Sequence, residues 1–130
     1  MSILDGFSAF NFNEGVAYVS ITKNGVTFNK SVVMKLGRPH YVVLLINEES
    51  QQIAIKCCDD STPNCVSFYK DEKESNRKII SVRWNGRDLL NTFQNMMDWD
   101  LNKCSYRVCG TLIKEEAAML FDLKTAELLI

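Results

Sequence analysis

The sequence predicts an α+β protein in which two pseudo-repeated strand–helix–β-hairpin units pack as one compact, barrel-like body. Three observations carry that expectation. ISVRWNG (residues 80–86) aligns on VSITKNG (residues 19–25) without a gap, each ending in Asn-Gly. An apolar-faced helical stretch follows each: Phe28, Val32, Val33 and Leu36 in the first, Leu89, Leu90, Phe93, Met96 and Met97 in the second. Each then runs into a Tyr-initiated apolar segment (residues 41–46 and 106–113), a Glu-Glu pair and one more short strand. A unit this small cannot cover its own apolar faces, so two copies shielding one another is the economical solution.

Taken in order, residues 1–15 form an N-terminal arm in which Phe7, Phe10 and Phe12 alternate with small polar residues. Aromatics are costly to leave in water, so the arm is expected to dock on the body or on a partner. The first repeat unit covers residues 16–58. Residues 16–21 alternate as a strand, and Asn24-Gly25 is a strong hairpin signal because both residues tolerate positive φ. Asn29 suits a helix N-cap. Gly37 suits the position just past the helix end, and Pro39 forbids continuation. Residues 41–46 form a near-continuous apolar run, as in a central strand covered on both faces, and residues 53–56 pair back on it. Residues 59–78 read as a polar connector with a short strand possible at 66–69. Residues 79–130 make the second unit.

The 130 residues fit one domain and bury enough surface to need no disulfide or metal. Fifteen basic and sixteen acidic residues leave a formal charge of −1, which disfavours a protein devoted wholly to gripping phosphates. The N-terminus lacks the charged start and apolar core of a signal peptide, and no apolar run approaches the ~18 residues of a membrane helix. With five cysteines, an odd number, and no secretion signal, the thiols are expected to be reduced and the protein cytoplasmic, away from membranes.

Residues 19–56 resemble the AbrB-type swapped-hairpin domain: Lys23-Asn24-Gly25-Val26-Thr27, Lys30, Lys35-Leu36-Gly37 and Ile53-Ala54-Ile55-Lys56 fall in its order. A tandem of such units in one chain is similar to MraZ proteins. The resemblance implies a swapped-hairpin-like body and a transcription regulator that contacts double-stranded DNA through basic residues at Lys23, Lys30, Lys35 and Arg38, and more loosely at Arg83 and Arg87. The sequence departs from the pattern where Asn29 replaces the Pro usual before the helix and where no Arg follows Gly25.

The residues themselves offer a rationale for nucleic-acid binding. Lys23 and Lys30 flank one Asn-Gly loop and Arg83 and Arg87 the other, with Trp84 as a stacking surface. Catalysis finds no support: the one histidine, His40, sits between Pro39 and Tyr41, and nothing marks an orienting carboxylate. Cys57-Cys58 with Cys65, and Cys104 with Cys109, lack the C-x2-C spacing of zinc sites, so neither metal nor cofactor is expected. The functional expectation is a non-enzymatic DNA-binding regulator. The alternative is a protein-interaction or assembly module, engaging a homodimer mate or another protein through the N-terminal arm.

Overall fold

The computed structural model describes residues 3–8, 15–70 and 81–129. Phe10, Phe12 and Ile80, used in the expectations above, lie outside them.

The chain opens with a hairpin of β1 (Tyr18–Thr22) and β2 (Gly25–Phe28), in register Thr22↔Gly25 through Val19↔Phe28. Gly25 is required here. Its φ is +148°, and a Cβ would stand 2.6 Å from the carbonyl oxygen of Trp84. Asn29 then starts the short helix α1 (Lys30–Lys35), its side-chain oxygen accepting from the backbone N–H of Val32. The same oxygen accepts from Tyr18 N, and its amide nitrogen donates to Val16 O at 2.8 Å, so one side chain caps the helix and fastens the entry to β1. Gly37, at φ +82°, and Pro39 end the helix as expected.

A long hairpin follows, β3 (Tyr41–Asn47) with β4 (Gln52–Cys58), and then β5 (Val66–Ser67), which pairs only with the start of β3. Pro63, which has no N–H, and Asn64, at φ +64°, turn the chain immediately before β5. The final third contains β6 (Val82–Trp84), α2 (Arg87–Met97), β7 (Ser105–Ile113), β8 (Ala118–Asp122) and β9 (Glu127–Leu129), with 3-10 turns at Lys114–Glu116 and Leu123–Thr125.

The nine strands among the described residues join one antiparallel sheet in the order β5-β3-β4-β8-β7-β1-β2-β6, with β9 beside β7. The sheet curls into a half-barrel. Strand β7 belongs to both arms of the curl. Its first half pairs with β1 and β9, its second half with β8. The change occurs at Gly110, where a Cβ would meet Met119 Sδ and Phe121 Cε1 at 2.7 Å each. The missing side chain lets those two core residues close against the strand. Val19, Ile21, Phe28, Ile53, Ile55, Met119 and Phe121 line the concave side, and α1 adds Val32 and Val33 to the same core. Helix α2 buries Leu90 and Phe93, and its Met96 carbonyl accepts from Gln51 Nε2 at 3.0 Å, so the helix runs from β6 to the β3–β4 turn.

This architecture corrects the α+β expectation of two repeated strand–helix–hairpin units. The two Asn-Gly pairs do different jobs. Asn24-Gly25 closes a β-hairpin, whereas Asn85-Gly86 leads straight into a helix, with Gly86 as the N-cap of α2. Strand β6 has three residues and pairs only with β2, while its supposed counterpart β1 is held on both edges. Local sequence sets turn chemistry, but pairing partners are set by which apolar faces meet, and here they distribute over one sheet.

Candidate functional site

The cations singled out in the sequence fall into two groups. Lys23 occupies the β1–β2 turn. Arg83, paired with Thr27 across β2 and β6, reaches back so that its Nη2 donates to Asn24 O at 2.9 Å, beside Lys23. Arg87 follows as the first residue of α2. The second group, Lys30, Lys35 and Arg38, lies on and just after α1, which directs Val32 and Val33 inward. All six cations are exposed. The four residues of β2 separate the groups by about 13 Å.

Trp84 does not join them. It shares its strand face with the buried Val82, as period-2 alternation demands, and its ring packs edge-on against Phe28 at 4.9 Å and Phe68 at 6.0 Å. Nε1 donates to Ser67 O. Trp84 is a wall of the core, and the alternation Val82-Arg83-Trp84 was the sequence signal for it.

The charges segregate along the fold. Residues 15–40 and 81–87 carry Lys23, Lys30, Lys35, Arg38, Arg83 and Arg87 and no carboxylate. The other described residues carry six basic and twelve acidic side chains. The four ion pairs among the described residues, Lys56–Glu116, Lys103–Asp100, Arg107–Glu127 and Lys124–Asp122, all lie in that second set. Asp122 is held below the usual carboxylate range chiefly by its hydrogen bond with Lys124, and Asp59 by those with Ser61 and Thr62. Both are turn carboxylates doing local work.

All five cysteines are free. Cys57 Sγ donates to Leu36 O and Cys65 Sγ to Asp60 O, each at 3.6 Å. Partial burial, and then the neighbouring Cys58, push the Cys57 thiol up. Among the described residues no group of three His, Cys, Asp or Glu gathers as a metal site. No helix among them is long and apolar enough to cross a membrane.

One surface escaped the sequence reading. Ile53, Ile55, Met119 and Phe121 face the core, so their strand neighbours face outward. Register places Leu45, Ala54, Leu120 and Thr111 in one row across β3, β4, β8 and β7, and Val43, Lys56, Ala118 and Ile113 in the next. Of these residues Ala118 is buried at 5%, Val43, Ala54, Lys56, Ile113 and Leu120 are half-buried, and Leu45 and Thr111 are exposed. The apolar run of residues 41–46, expected to be covered on both faces, is left open at its end, where Leu45 is 47% and Ile46 38% exposed.

Comparison with protein-family models, curated proteins and solved structures finds no match to this chain.

Proposed function

We propose that this chain is a non-enzymatic DNA-binding regulator that docks on duplex phosphates through Lys23, Lys30, Lys35, Arg38, Arg83 and Arg87. The observation supporting this is the segregation of charge: six exposed cations on carboxylate-free segments, in a chain whose net charge is −1. Each helix also begins with a cation, Lys30 in α1 and Arg87 in α2, at the end where the backbone dipole disfavours positive charge. In α2 the carboxylate of Asp88 follows Arg87 in the same turn, so the rule is broken only in α1, whose first turn has no acidic residue. With Trp84 in the core, and α1 only six residues long, base reading has little to work with. Contacts of this kind position a protein on DNA rather than specify a sequence.

Binding of a fluorescent duplex measured against salt tests the reading. Each phosphate neutralised adds about 0.9 to the slope of log affinity on log salt, so four to six contacts give a slope of roughly −4 to −5. Lys23→Glu with Lys35→Glu should weaken binding at least tenfold at low salt. Binding that ignores both salt and charge reversal rejects the proposal, as does no binding at all at about 50 mM salt.

The second reading, a protein-interaction or assembly module, is favoured by the exposed apolar side chains Leu45 and Ile46 at the end of β3.

A further inference from the structure

Glycine follows asparagine at two places in this chain, Asn24-Gly25 and Asn85-Gly86. Such a pair can modify itself. With no Cβ to shield it, the glycine nitrogen attacks the side-chain carbonyl carbon of the asparagine, and ammonia leaves as a five-membered succinimide closes. Water then opens the ring at either carbonyl, giving aspartate or isoaspartate. One water enters, one ammonia departs, and a neutral amide becomes a carboxylate. The reaction needs a free glycine nitrogen and a peptide group able to rotate.

The fold treats the two pairs differently. Asn29 N donates to Tyr18 O, and hydrogen-bonded pairs alternate along an antiparallel ladder, so Ser20↔Thr27 and Thr22↔Gly25 are hydrogen-bonded pairs as well. Gly25 N is therefore engaged by Thr22 O. Arg83 Nη2 holds the Asn24 carbonyl at 2.9 Å, so the peptide between Asn24 and Gly25 is fixed at both polar atoms. Asn85 and Gly86 are exposed. Among the described residues, neither the peptide between them nor the Asn85 side chain makes a hydrogen bond. Asn85 also stands where a new charge would be felt. Its Oδ1 lies 3.0 Å, and Arg83 Nε 3.2 Å, from the point that a Cβ on Gly25 would occupy, so the two are near neighbours. Opposite charges within about 4–6 Å attract appreciably.

We propose that Asn85 is a site of spontaneous deamidation, at which the folded protein acquires a carboxylate beside Arg83 while Asn24 is preserved. The formal net charge of −1 becomes more negative by one, and the segments 15–40 and 81–87 receive their first carboxylate. The change falls in the region on which the proposed function relies, but the chemistry is independent of DNA binding and is tested without it.

The full chain is held folded at mildly alkaline pH for days and then digested. Trypsin cuts after Lys23, Lys30, Arg83 and Arg87, which puts the two pairs on separate peptides, 24–30 and 84–87. Mass spectrometry reads the exchange of NH2 for OH in each, against a digest of fresh protein. In the folded chain Asn85 should convert about tenfold or more faster than Asn24, and in urea the ratio should fall toward one, because local opening no longer limits Asn24. Gly86→Ala should slow position 85 and leave position 24 unchanged. Its Cβ would meet nothing closer than Leu89 Cβ at 3.8 Å, so the fold accepts it. Equal rates at the two sites in the folded chain overturn the proposal. So does an Asn85 that converts far more slowly folded than in urea, because the fold then protects both pairs.

Discussion

The indole Nε1 of Trp84 donates to the carbonyl oxygen of Ser67 at 3.3 Å, joining β6 and β5, the strands at opposite ends of the sheet path. The eight strands of this path curl far enough for its two ends to come within one side chain of each other. Phe28, Phe68 and Trp84 fill the seam with mutual edge-on contacts. The half-barrel is thus closed on this side by aromatic packing where a backbone ladder would otherwise run.

Trp84→Phe keeps a ring against Phe28 and loses the hydrogen bond to Ser67, costing about 1 kcal/mol. Trp84→Ala also leaves a cavity beside Phe28 and Phe68, and should cost about 3 kcal/mol. Urea denaturation measures both. An unchanged midpoint for Trp84→Ala would return the residue to the surface role the sequence suggested.

Gly110→Ala should destabilise by about 1–3 kcal/mol, because its methyl group would fall where Met119 and Phe121 now pack. Combining it with Met119→Ala should cost less than the two changes summed, since the second opens space for the first. Strict additivity in thermal melts would show that the crowding at this bend carries no energy.

The thiols should separate by reactivity. Alkylation proceeds through the thiolate. Burial raises the Cys57 pKa, so at pH 8 less of it is ionised than in an ordinary cysteine, whereas Cys109 is exposed. Mass spectrometry of the native chain treated with iodoacetamide should find Cys109 modified well before Cys57. Raising the pH should narrow the difference as Cys57 ionises. Equal rates at pH 8 would contradict the burial.

Local structure was legible in the sequence wherever one residue type has one physical use. Asn29 as a cap, Gly37 and Pro39 as a stop, the turn after residue 47 and the apolar stripe of α2 all follow from rules acting over a few residues. The pairing of β1 with β7 and of β4 with β8 was not legible, because it joins segments separated by more than sixty positions. Antiparallel strands of similar composition offer many equivalent partners at that distance. The matching Asn-Gly pairs then invited a symmetry that the pairing does not have. For the candidate site, the exposed cations were readable as cations. That Lys23 and Arg83 come together emerged only once the fold set β1, β2 and β6 side by side. The packing of Trp84 against Phe28 and Phe68 was missed because the strand was read for its charges and not for its alternation.

The place of β7 late in the chain has a consequence for synthesis. Strand β1 waits for β7 to cover one edge, and β4 waits for β8, yet both partners belong to the last quarter of the sequence. On the ribosome, the first hundred residues can form hairpins but no finished sheet. A nascent chain would therefore carry two open strand edges until translation is nearly over, the stage at which a chaperone would have most to offer it.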